Sequence, residues 1–116
     1  MSDTITAVVV EPGGETRLEQ IPRGLKPLQS LVGGYIEVAP CQDSELSFFI
    51  NEDGKPMGLE PNMLGTLLWY HTTPMMRGHD HLVGTVVITG GVDDEGETLG
   101  LPEDWREKFD GLLNCE

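Results

Sequence analysis

The residues best equipped for chemistry in this chain are three histidines, His71, His79 and His81, with Asp80 between the last two. Imidazole and carboxylate groups suit zinc, which takes about four ligands in a tetrahedral shell. If a strand begins at Leu82, His79 and His81 point to one side, and His71, closing the preceding helical segment, can swing toward them. One reading is therefore a metal-binding regulator or metal-dependent enzyme, with zinc as its ion. The plainer reading of the same residues is an exposed polar loop without a cofactor.

Other chemistries find less material. Cys41 follows Pro40 and is a nucleophile candidate, but its near neighbours Asp43 and Glu45 are acidic and no cation adjoins it to activate a thiolate. Gly33-Gly34 admits a ligand close to the backbone, or simply caps a helix and turns the chain. No Gly-x-x-x-x-Gly-Lys-Ser/Thr or Gly-x-Gly-x-x-Gly cradle for phosphates occurs. No acid–base pair of carboxylates stands out among 20 acidic side chains. Tyr35, Glu37, Asn51 and Asn62 lie beside expected strand or helix ends and could line one pocket; turn and capping duties explain both asparagines equally well.

Charge narrows the partners. Twenty acids against seven bases give a formal charge of −13 over 116 residues. Phosphate recognition calls for clustered cations, whereas Arg17, Arg23, Lys26, Lys55, Arg77, Arg106 and Lys108 are scattered. Direct nucleic-acid binding and an anionic membrane surface are both disfavoured, and a protein with a basic surface is the expected partner. Residues 93–116 hold nine acids and two bases, so Asp93, Asp94, Glu95 and Glu97 form an acidic docking surface or a solvated face. Met75-Met76, adjacent in a polar loop, are the other expected partner-binding residues, because exposed methionine suits adaptable contacts.

These residues must be positioned by short elements, since fifteen glycines and eight prolines break the chain often. The length predicts one domain over residues 1–116. Thr4 to Val10 reads as a strand ended by the turn Glu11–Gly14, with Arg17 to Ile21 as a short return strand. Leu25, Leu28, Leu31 and Val32 carry helical spacing, with Pro27 in the first turn and Gly33 as a left-handed cap. Tyr35–Val38 and Leu46–Ile50 follow as strands. Asn51–Lys55 carries an Asp-Gly hairpin signal, with Pro56–Leu59 returning. A helix over 61–70 is capped near Asn62, and the apolar run Leu82–Thr89 predicts a central strand. An acidic loop near 91–100 leads to an amphipathic helix near 102–113 with Trp105, Phe109, Leu112 and Leu113 on one face. The expected class is α+β: a mixed, mainly antiparallel sheet of four to five strands carrying two or three short helices.

Leu31-Val32-Gly33-Gly34-Tyr35-Ile36-Glu37 resembles a family of small domains of unknown function carried mostly by bacteriophages, plasmids and Gram-positive bacteria, especially actinobacteria. Val9–Pro12, Asn51–Lys55, Gly58–Asn62 and Gly84–Gly90 match as well, so the resemblance covers roughly residues 5–90. It implies a phage or mobile-element origin and a compact α+β fold, and it implies no activity. The resulting expectation is a non-enzymatic, cytoplasmic acidic protein that binds a host protein. A metal protein built on the histidines and a small-ligand or nucleotide binder are the alternatives.

Overall fold

The structure, a computed structural model, describes residues 4–43 and 45–113, with side chains as far as 110. Leu112, Leu113 and Cys115 therefore lie outside the described side chains. Five strands, β1 (Thr4–Val10), β2 (Thr16–Pro22), β3 (Ile36–Ala39), β4 (Leu46–Asn51) and β5 (Val86–Gly90), form one sheet in the order β2-β1-β5-β4-β3. Each neighbouring pair runs antiparallel, so the fold is α+β and the described sheet is antiparallel instead of mixed. The helices are α1 (Leu25–Val32), α2 (Met63–Thr72) and α3 (Glu103–Leu113), and a 3-10 turn spans Pro74–Met76.

Strand alternation sends side chains to two cores. On one face Val8, Val10, Phe48, Val86 and Ile88 pack with Trp69 of α2 and with Trp105 and Phe109 of α3. On the other, Ile5, Ala7, Phe49 and Val87 pack with Leu28 and Val32 of α1. The sheet is covered on both sides, which is why β1 and β5 are apolar at both parities. Glycine permits the tightest approach between segments at the end of β5. A Cβ on Gly90 would lie 2.2 Å from the Gly100 carbonyl oxygen, because residues 99–101 run alongside it and Leu101 N–H donates to Thr6 C=O at 2.9 Å.

Two expectations are corrected. Pro56–Leu59 does not return as a strand: both sides of β4 are occupied, by β3 and β5, so residues 52–58 coil through turns instead. The strand expected over 82–89 begins only at Val86. Gly84 has φ +75°, and Leu82 and Val83 serve the entry to α2: Asn62 N–H donates to Leu82 C=O at 2.9 Å, and Val83 bridges Pro61. No helix among the described residues is long and apolar enough to cross a membrane.

Candidate functional site

α2 is fastened to the sheet along its inner side. Asn62 is fully buried; its Oδ1 accepts from Gly65 N–H at 2.8 Å, capping the helix. Its Nδ2 donates to the carbonyls of Val10, at 2.9 Å, and Gly84, at 2.8 Å, tying the cap to β1 and to the approach of β5. Thr66 Oγ1 accepts from Leu82 N–H at 2.9 Å, and Trp69 Nε1 donates to Pro40 C=O at 2.7 Å. Tyr70 hydroxyl donates to the Asp80 carbonyl. Gly65 lies so close that a Cβ there would approach Val86 and Asn62 to 2.9 Å.

Among the described residues the outer side of α2 has no such partners. Met63 is 74% and Leu67 55% exposed, one helical turn apart on one face. Grooves run along both flanks of Leu67. One, about 440 Å³, is lined by Leu67, Leu68, His71, Trp105 and Phe109, between α2 and α3. The other, about 230 Å³, is lined by Pro61, Met63, Leu67, Tyr70 and His81. No Asp or Glu occurs from residue 61 to residue 79 of this heavily acidic chain. The neighbouring cations lie on aromatic rings, Lys108 Nζ 4.4 Å from the Trp105 ring centroid and the Arg77 guanidinium 5.5 Å from that of Tyr70. An apolar ridge with a cationic rim thus interrupts an anionic surface. Its chemistry is that of burial against another apolar surface.

The expected site residues fall in several places. His71 lines the larger groove, His81 the smaller one, and His79 lies in the exposed turn between them. Among the described residues no group of three or more His, Cys, Asp or Glu side chains is arranged to hold a metal. Of the two methionines, Met75 is exposed at 62%, while Met76 packs against the core. Asp93 is committed within its own loop: Oδ1 accepts from Glu95 N–H at 2.8 Å and Glu97 N–H at 2.9 Å, leaving Asp94, Glu95 and Glu97 exposed. Cys41 is half-buried, with Sγ 3.6 Å from Thr72 Oγ1.

Of the four polar residues grouped by sequence, Glu37 and Asn51 share a cleft of about 200 Å³ with Lys55, Asp80 and His81, whereas Asn62 lines the groove beside α2. Tyr35 is exposed. Asn51 is buried and occupied: Nδ2 donates to Val32 C=O at 3.1 Å and Oδ1 accepts from Asp53 N–H at 2.8 Å. Lys55 is paired with Asp80 across this cleft, and its hydrogen bond holds the Asp80 carboxyl below the ordinary carboxylate pKa, against the opposing effect of burial.

The ridge at Met63 and Leu67 is not among the contact residues expected from the sequence. Two signals pointed to it: the acid-free stretch 61–79, and an α2 with no charged face to give to water. No curated protein and no solved structure matches the chain. One family does match, over residues 5–113, from the second residue of β1 to the last of α3. That span takes in the sheet, all three helices and the ridge, and on it the chain belongs to the family described as a domain of unknown function (DUF3846).

Proposed function

We propose that the chain is a non-enzymatic protein-binding domain of phage or mobile-element origin that docks a host protein on the outer face of α2. The observation that carries the reading is the exposed Met63–Leu67 ridge with an apolar groove on either flank. Covering each of these two side chains contributes about 1.5–3 kcal/mol by area, within the range expected of an interface centre. The formal charge of −13 adds a long-range field that steers a partner with a basic surface, while the ridge supplies short-range adhesion. Asp94, Glu95 and Glu97 are exposed and add to that field, and Met75 is exposed as a further apolar contact. Origin and the choice of a host partner rest on the resemblance carried by Leu31–Glu37.

The test is retention of host protein by the immobilised domain, comparing the native chain with Leu67→Glu and Met63→Glu. Both positions are exposed, so neither change should lower stability by more than about 0.5 kcal/mol. Expected is a protein retained at low salt, released in part as salt rises, and lost at least tenfold from each variant. Equal retention by the variants, or none by the native chain at low salt, overturns the proposal. A small apolar ligand is the second reading, favoured by the volume of the groove between α2 and α3. Quenching of Trp105 fluorescence by such a compound, without protein retention, would select it.

A further inference from the structure

The open edge at β2 carries a self-complementary pattern. Glu11 N–H donates to Glu15 C=O at 2.8 Å at the mouth of the β1–β2 hairpin, and the register continues Val9↔Arg17 and Ala7↔Glu19. Antiparallel alternation therefore turns the backbone groups of Arg17 and Glu19 inward to β1, and those of Thr16, Leu18 and Gln20 outward. Among the described residues no turn or loop backbone bond reaches those three, and β2 has a sheet neighbour on one side only. An uncovered edge of this kind is a template for another strand.

We infer that β2 pairs antiparallel with β2 of a second copy, about a two-fold axis through Leu18, joining two five-stranded sheets into one. In that register Thr16 faces Gln20 of the second copy, Leu18 faces Leu18, and Arg17 faces Glu19 in both directions. Thr16-Arg17-Leu18-Glu19-Gln20 is thus matched in charge against itself read backwards. Arg17 and Glu19 share the face that carries Ile21 and α1, while Leu18, opposite Val8, lies on the α3 face. Each pair sets opposite charges directly across the strands, the favourable arrangement for a two-stranded contact. A shift of one residue would put Arg17 opposite Leu18 or Gln20 and lose both pairs. Pro22, which lacks an N–H, lies beyond the matched five residues. The opposing force is like charge: Glu103, Glu107 and Asp110 of α3 lie beside Leu18, with Arg106 among them. Added salt screens this repulsion and favours the pairing, the reverse of its effect on a basic partner at α2.

Sedimentation of the full chain across a concentration series at moderate salt tests the contact. The native chain should pass from monomer to dimer as concentration rises. Arg17→Glu and Glu19→Arg should each weaken the dimer about tenfold, by turning two attractive pairs into repulsive ones. An equimolar mixture of the two variants should restore it, since one is acidic and the other basic at both positions. Rescue by mixing separates a contact between copies from damage to the Arg17–Glu11 and Arg17–Glu19 ion pairs within one copy. A native chain that stays monomeric, or a mixture that fails to recover, overturns the inference. So does a dimer lost with Leu67→Glu but not with the charge reversals, which would place the contact on α2.

Discussion

Two buried asparagines hold together segments distant in sequence. Asn62 joins α2, β1 and the approach to β5 through three side-chain hydrogen bonds, and Asn51 joins the end of α1 to the turn after β4. Replacing Asn62 with alanine removes its three hydrogen bonds to buried backbone groups and should cost about 2–4 kcal/mol in denaturant unfolding. Asn62→Asp is the sharper comparison. Aspartate is as good a helix cap, yet it supplies no N–H for Val10 and Gly84, so it should also destabilise by more than about 1 kcal/mol. A tolerated aspartate would reduce Asn62 to a cap. The Lys55–Asp80 pair is smaller in effect because both side chains are 40% exposed or more, which limits it to under about 1 kcal/mol. The folded-state pKa of Asp80 is depressed, so its contribution is present above the unfolded value near pH 4 and is lost as pH falls through the folded one. Lys55→Met should therefore lower stability at pH 7, and the difference from the native chain should vanish in acid.

At the scale of elements, α2 shows how a helix can be fixed on one side and unsatisfied on the other. Gly65 permits its close seat on β5, and Gly65→Ala sets two effects against each other. Helix propensity gains about 1 kcal/mol, while the new methyl lies 2.9 Å from both Val86 Cγ2 and Asn62 Oδ1. Overpacking of that kind costs about 1–3 kcal/mol, so the thermal midpoint should fall; a rise would show that α2 can shift outward freely. Much at this level was readable from the sequence. Gly33 closes α1 with φ +80°, Asn62 caps α2, and β1, β2 and β4 lie where residue type and the flanking turns put them, because those signals act within a few residues. The misreadings came from partners distant in sequence. Asp53-Gly54 turns the chain, but which strand could follow depended on β5, and Leu82 left the strand because Asn62 N–H took its carbonyl and Thr66 Oγ1 took its N–H. The ridge was missed for the same reason: spacing gives α2 an apolar stripe, and only the packed sheet shows that Gly65, Thr66 and Trp69 face inward, leaving Met63 and Leu67 outside.

For the whole molecule, charge acts against compactness. Thirteen uncompensated negative charges repel one another across a small body, so added monovalent salt should raise the thermal midpoint between about 10 mM and 300 mM, the range over which the screening length falls from about 30 Å to under 8 Å. A flat response would mean that the charges are already spaced beyond mutual reach.

The order β2-β1-β5-β4-β3 also has a temporal side. The first four strands make two local hairpin-like pairs that do not touch each other in the sheet, and the strand that splices them is the last to be made. During synthesis neither half can cover its apolar faces until residues 86–90 have left the ribosome. A nascent chain cut before Val86 should consequently stay open to proteases and chaperones, and one carried past Leu113 should close in a single cooperative step.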